Sequence, residues 1–406
     1  MFVMSRHRLG LSALVSLVVV CAVALPAQVG VAMALPPLSK AVYSRYIIRT
    51  SDQAGMTFAF STAVKGGGRM VHRYRSVYPG GAFDLTPAQV AALKKDKRIV
   101  SIEPDRLYRA SVMPSIGSQV MPNVVKVETS APWGLDRIDQ KTLPTSGKYR
   151  YTTTGAGVTA YVIDTGIRPT HAEFGNRVRL GYDGVGDGRG GVDCNGHGTH
   201  VAGTIGGTTY GVAKKVSLVA VRVLNCDGGG RLSDVIAGVD WVVSDHESGP
   251  AVANMSLGGI ASHSLDLAVK RAIADGVTMV VAAGNDGGDA CLSSPAEVPA
   301  AITVGATQAN DLRADFSNYG ECLDLFAPGV DITSSWDTSD TATKTISGTS
   351  MATPHVAGAA ARYLESHAYA SPATVRNALV RAATSGAIPN LGPHSPDRLL
   401  YIDPTN

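Results

Sequence analysis

The chain predicts an α/β fold: a doubly wound, mostly parallel sheet flanked by helices, preceded by a small α+β unit. Three observations predict it. Past about residue 150, continuous apolar strand-like runs alternate with amphipathic stretches, the pattern of a parallel sheet covered on both faces. The 406-residue length exceeds one average domain and suits a large domain with a smaller companion. With 45 glycines and only 17% charged residues, the chain is loop-rich and tightly turned, which excludes a disordered tail or a coiled coil.

The N-terminus opens with Arg6, His7 and Arg8, then an almost unbroken apolar run from Leu9 to Leu25, then the small-residue site Ala32-Met33-Ala34. Residues 1–34 therefore predict an export signal. A membrane anchor is the alternative, because the run is near the lower length limit of a span. Pro26, Gln28 and the cleavage site follow at once, however, and no other stretch approaches spanning length. The processed chain is expected to be secreted and extracellular, with no membrane association.

Residues 41–110 form a separate compositional block. Tyr46-Ile47-Ile48 predicts a strand. Pro87–Lys97 predicts a helix capped by Thr86, with Val90, Ala91 and Leu93 on its apolar side, and Ile99–Ile102 predicts another strand. A unit of about seventy residues has a marginal core and needs a partner surface. Residues 111–129, with Pro114, Gly117 and Pro122 and no periodicity, predict a linker open to proteolytic nicking. The large domain, 130–406, predicts strands at Val158–Ile163, Ser217–Val223, Ala251–Met255, Thr278–Ala282 and Ile302–Val304. Its helices are predicted at Gly198–Ile205, Leu232–Ser244, Leu265–Asp275 and Thr349–Glu365. There is no internal repeat.

Three segments put an acid, an imidazole and a hydroxyl beside glycine and small residues. They are Val162-Ile163-Asp164-Thr165-Gly166, Asn195-Gly196-His197-Gly198-Thr199-His200 and Gly348-Thr349-Ser350-Met351-Ala352-Thr353-Pro354-His355. A serine hydroxyl needs a base to take its proton, and the base needs a carboxylate to hold its other nitrogen. Asp164 ends a strand, where ligands bind in open α/β sheets. Taken alone it would be a turn or cap aspartate. His197 and His200 stand at i, i+3, without the i, i+4 spacing and intervening glutamate of a zinc peptidase; His200 and His355 read as packing histidines. Ser350 opens a helix with Pro354 expected in its first turn. The free N–H groups of a helix start suit an oxyanion. Asn285, in Ala282-Ala283-Gly284-Asn285, follows a buried strand and is placed to donate a second N–H to that oxyanion. No G-x-S-x-G elbow is present, which argues against an α/β-hydrolase.

Removing the leader leaves Cys194, Cys226, Cys291 and Cys322, an even count that suggests two disulfides, with three pairings possible. Sequential pairing closes two loops of similar size. A zinc site lacks the close C-x-x-C pair it needs. The net charge of +3, without a basic cluster, excludes nucleic acid as a partner.

At these four motifs the sequence resembles the subtilisin superfamily, and within it the aqualysin-like members of the proteinase K group, from about Ala131 to Tyr401. That resemblance implies a subtilisin-like fold with Asp164, His197 and Ser350 as the triad and Asn285 as the oxyanion donor. It implies that Gly228, Gly229 and Gly230 and, opposite them, Ser256, Leu257 and Gly258 pair with an extended peptide, with Ala283 and Gly284 walling the first side-chain pocket. It implies the sequential disulfides. It implies structural Ca²⁺ held by the backbone of Pro299 and Ala301 and by Asp324. A second calcium site of some relatives would use Asp136, Asp139 and Gln140, but Ser146 and Lys148 stand where further ligands belong. The block 41–110 resembles an inhibitor propeptide that assists folding, lays its C-terminal end in the cleft and is cut off. The expected function is a monomeric secreted serine endopeptidase of broad specificity, made as a self-processing zymogen whose partners are peptide and protein substrates and its own propeptide. An inactive peptide-binding pseudoprotease is the alternative. A sedolisin-type acid peptidase needs a glutamate base where His197 stands.

Overall fold

In the small unit, the strands β1 (Ser44–Thr50), β2 (Arg69–Tyr74), β3 (Gly80–Leu85) and β4 (Ile99–Pro104) form an antiparallel sheet of order β2-β3-β1-β4. The computed structural model describes residues 42–113 and 130–403; the expected export signal and most of the expected linker lie outside the described residues. Helix α1 (Gln53–Lys65) starts where the Asp52 carboxylate accepts the Gly55 N–H at 2.7 Å. Helix α2 (Pro87–Leu93) carries a full capping box between Thr86 and Gln89 and ends four residues before its predicted limit. The run Lys94-Lys95-Asp96-Lys97 offers no apolar side to continue it, and Asp96 turns instead to take the Arg98 N–H at 2.9 Å. One face of the sheet packs Ile48, Phe83 and Leu85 against Met56, Ala59 and Leu93 of the two helices. A fifth strand, β5 (Leu107–Ala110), leaves this sheet altogether.

The large unit opens with α3 (Trp133–Ile138), β6 (Thr159–Asp164), β7 (Val178–Asp183), α4 (His197–Gly206), β8 (Ser217–Arg222), β9 (Gly229–Arg231) and α5 (Leu232–Asp245). Then come β10 (Ala251–Met255), β11 (Leu257–Ile260), α6 (His263–Ala274), β12 (Thr278–Ala282), β13 (Ser293–Ser294), β14 (Ile302–Thr307) and β15 (Leu325–Pro328). A hairpin of β16 (Ile332–Ser335) and β17 (Thr343–Ile346) leads into α7 (Thr349–Ser366) and α8 (Pro372–Ala382). Seven strands form one parallel sheet in the order β15-β14-β12-β10-β6-β8-β7. Helices α4 and α7 contribute to the core on one face, through Val201, Ile205, Met351 and Val356; α5 and α6 contribute to the core on the other, through Val235, Val239, Leu265 and Val269. From β6 the chain proceeds through β7 and β8 on one side and through β10 to β15 on the other. The carboxyl ends of β6 and β10 thus flank a topological switch point, where such sheets bind ligands.

The small unit finds the partner surface its size requires. Ile47, Tyr74, Val77 and Ala82, on the sheet face away from α1, join the same buried cluster as Leu232, Val235 and Val239 of α5. Asp240 on α5 accepts the backbone N–H groups of Arg75 at 3.0 Å, Ser76 at 2.6 Å and Val77 at 2.8 Å. His72 Nε2 lies 2.8 Å from Asp234 Oδ1. Among the described residues no helix is long and apolar enough to cross a membrane.

Candidate active site

Asp164, the last residue of β6, lies fully buried with Oδ1 2.7 Å from His197 Nδ1. His197 is the first residue of α4, one residue earlier than predicted. Gly196 before it sits at φ 99°, and a Cβ there would meet the Trp336 ring at 2.2 Å. Only glycine satisfies both conditions.

Asp193, which the sequence reading did not single out, joins the two segments. Its carboxylate accepts five donors: Thr165 Oγ1–H at 2.9 Å, the N–H groups of Asn195 and Gly196 at 2.9 and 3.0 Å, and Thr199 N–H and Oγ1–H at 2.9 and 2.6 Å. Thr165 Oγ1 in turn accepts the Gly198 N–H at 2.8 Å. The strand end that carries Asp164 is thereby tied to the helix start that carries His197. An Asp two and three residues before an Asn-Gly pair is a local Asx-turn signal, and could have been read.

Ser350 is the second residue of α7, behind Gly348 at φ 155°. Its hydroxyl donates to the Ser256 carbonyl at 2.9 Å, and its own carbonyl accepts the Ser256 hydroxyl at 2.8 Å. Pro354 lies inside α7, a turn deeper than predicted. It cannot donate the i+4 N–H to Ser350, and so leaves that carbonyl to Ser256. The structure therefore hydrogen-bonds Asp164 to His197 but turns the Ser350 hydroxyl to Ser256. His197 Nε2 is buried without a hydrogen-bond partner among the described residues. Asn285 Oδ1 accepts both Thr349 N–H at 2.9 Å and Thr349 Oγ1–H at 2.8 Å. Two donors at the oxygen end settle the amide orientation, and leave Nδ2 as a buried donor without a partner. Burial pulls His200 down to about 3 and His355 down to about 4. Both stay neutral and bond backbone carbonyls, of Ile332 and Lys344 for His200 and of Met351 for His355.

The remaining predicted residues border a cleft that the chain itself fills. Strand β5 lies antiparallel between β9 and β11, with Tyr108 opposite Gly230, Arg109 opposite both Gly229 and Gly258, and Ala110 opposite Leu257. Beyond it, the Ala110 N–H reaches Gly228 O at 2.9 Å, Ser111 N–H reaches Ser256 O at 3.3 Å, and Met113 N–H reaches Ser347 O at 2.9 Å. A Cβ on Gly348 would stand 2.4 Å from the Ser111 carbonyl oxygen and 3.3 Å from Asn285 Nδ2. Beside Ser111 opens a cavity of about 480 Å³, lined among others by Gly258, Ala283, Gly284 and Ala296.

The cysteines pair in sequence, Cys194 with Cys226 and Cys291 with Cys322. The first bridge lies against the buried Arg222, whose guanidinium pairs with Asp183 and Asp187. Among the described residues the one clustering of three ligand-type side chains is Asp187 with these two sulfurs, which are bonded to each other.

Subtilases commonly hold structural calcium, and the expected set at Pro299, Ala301 and Asp324 needs correction. Both Asp324 oxygens are engaged, Oδ2 by the Thr303 N–H at 2.9 Å and Oδ1 by the Arg376 guanidinium. An N–H on Oδ2 is compatible with metal ligation, but a guanidinium on Oδ1 already supplies the positive charge and would repel a calcium ion there, so the residues do not fit it as they stand. The Asp136 loop is closed by internal donors too: Ser146 N–H and Oγ–H on Oδ1, both at 3.0 Å, and Gly147 N–H on Oδ2 at 2.6 Å.

A parallel sheet with a switch-point cleft, a buried Asp–His pair and a serine at a helix start is compatible with a hydrolase of the serine type. Residues 155–399 match the subtilase family (peptidase S8) and residues 47–111 match peptidase inhibitor I9, so the chain belongs to the subtilase family and carries an I9 propeptide. It is 57% identical over 335 residues to an extracellular serine proteinase of Thermus sp. (strain Rt41A), covering 82% of this chain and 78% of that protein. It is 51% identical over 322 residues to alkaline serine exoprotease A of Vibrio alginolyticus, covering 79% of this chain and 58% of that one. A crystal structure of a cold adapted subtilisin-like serine proteinase superposes with a TM-score of 0.65 at 54% identity, over 67% of this chain and 98% of that one. The chain is a serine-type endopeptidase of the subtilisin-like, proteinase K group.

Proposed function

We propose that this chain is a secreted, monomeric zymogen that cuts itself once and then hydrolyses proteins with broad side-chain tolerance. Ser350 attacks the scissile carbonyl carbon, and its proton passes to His197 Nε2. Asp164 keeps the imidazole in the tautomer that leaves Nε2 free to accept, and stabilises the imidazolium that forms. Asn285 Nδ2 and the Ser350 N–H hold the oxyanion. His197 returns the proton to the leaving amine, and water then hydrolyses the acyl-serine by the same route.

One observation carries this reading: the chain's own residues 107–110 lie in the cleft as an extended guest strand, and 111–113 continue along it with Ser111 and Met113 bonded to the cleft backbone. Main-chain pairing on both sides recognises any backbone that can straighten, which supports broad tolerance. The pairing also supports a choice of the first bond to be cut. Ser111 N–H is held by Ser256 O, which also takes the Ser350 hydroxyl, and Met113 N–H by Ser347 O, which supports the Ser111–Val112 peptide as the bond Ser350 attacks. Names of relatives that include "extracellular" and "exoprotease" support secretion.

The test is N-terminal sequencing and intact mass of the purified protein and of Ser350→Ala. The wild type is expected to yield a first product beginning at Val112 and a fluorophosphonate adduct on Ser350; the variant is expected to stay whole and unlabelled. A wild type that stays whole and inert on casein would leave a peptide-binding protein without turnover, and labelling that survives Ser350→Ala would remove Ser350 from its role.

A further inference from the structure

We propose that Arg376 takes the place of a metal ion at Asp324, so that this chain closes its β14–β15 edge with a built-in cation and needs no calcium there. Asp324 is 3% exposed and precedes β15, where its N–H donates to Thr303 O at 2.9 Å. A buried carboxylate must be neutralised or lose its charge.

The geometry decides which cation does the neutralising. Thr303 N–H occupies one oxygen and Arg376 Nη2 the other. The arginine comes from α8, whose start is set by Ser371 accepting the Thr374 N–H at 3.2 Å and by Pro372 in the first turn. Helix α8 packs against α7 and β12, so the guanidinium is delivered from a fixed element and not from a loop. Calcium takes six to eight oxygen ligands, and a guanidinium seated on one of them repels the ion. A guanidinium needs only the carboxylate fork and is charged at every working pH. Its Nε–H is buried without a partner among the described residues, so the arginine is committed to this site at some cost, consistent with its serving the carboxylate.

The test uses the full chain carrying Ser350→Ala, so that it stays intact, with calcium-45 equilibrium dialysis and calorimetric melting in excess calcium or in EDTA. Asp324→Asn is expected to bind as many calcium ions as its parent and to lose the same Tm on chelation. Arg376→Ala is expected to gain one ion per chain and a calcium-dependent rise of several degrees in Tm, and Arg376→Lys is expected to gain neither. An Asp324→Asn variant that binds one ion fewer than its parent overturns the proposal. So does a folded Arg376→Ala variant that gains no ion, since Arg376 then displaces nothing. Should Arg376→Ala fail to accumulate, the comparison of the parent with Asp324→Asn decides alone.

Discussion

Asn285 is a side chain whose two ends have different duties. Thr349 holds the oxygen with two donors, which leaves the Nδ2 donor buried and without a partner. An unpaired buried donor costs about 1–3 kcal/mol. Spending that stability makes sense where an oxyanion will later supply the acceptor. Asn285→Ala is expected to lower kcat on a peptide substrate by about 10²–10³-fold with KM little changed, the mark of a contact made in the transition state; an equal rise in KM instead would assign Asn285 to ground-state binding. Asp266 shows a different economy. It sits 6% exposed, with the Ser294 hydroxyl donating to it at 2.7 Å. Burial first, and then Glu297, push its carboxyl up to about 7. Between pH 4 and 7 the folded protein holds a proton there that the unfolded chain has released, so this group's contribution to stability falls as pH rises through that window. Asp266→Asn does not titrate. Its Tm relative to the parent is expected to be higher at pH 8 than at pH 4 by several degrees, measured by calorimetry in the Ser350→Ala background.

Elements were legible where a segment's own composition sufficed to make them. Strands β10 and β12 run over Ala251–Met255 and Thr278–Ala282, the ranges their continuous apolar runs predict, because each is buried along its whole length. The long helices α5 and α7 likewise differ by single residues from their periodic patterns. Strands β5, β9 and β11 could not be read that way. They are short, glycine-rich or charged, and exist because each has the others to pair with. The same reason separates the site residues. Asp164, His197 and Ser350 announce themselves through local glycine motifs. The Ser256 carbonyl holding Ser350, 94 positions away in sequence, is visible only in three dimensions. Arg376 carried no signal at all, being one arginine on an ordinary amphipathic helix until the fold sets it on Asp324.

At the scale of the whole molecule, the small unit is held by more than its tail. Tyr74, Val77 and Ala82 share a buried cluster with α5, and Asp240 receives three consecutive backbone N–H groups from it. After the proposed first cut these contacts, and not a covalent bond, would keep the cleft blocked. Charge-assisted hydrogen bonds of this kind are the strong ones. Asp240→Ala is expected to shorten the lag before full activity on casein by roughly three- to tenfold, since a half-buried carboxylate then no longer accepts three backbone N–H groups. An unchanged lag in progress curves would place the hold elsewhere, on β5 or on His72 with Asp234.

The way β5 sits between two edges has a bearing on diet. On the proposed reading, a groove that accepts its guest as the middle ribbon of three would read straightness and not spelling. Whatever is fed to it would first have to surrender a stretch at least as long as 107–110 from its own architecture. Sturdy neighbours in the same medium, this enzyme's own mature body included, would be spared for as long as they refuse to unravel, and frayed ones consumed.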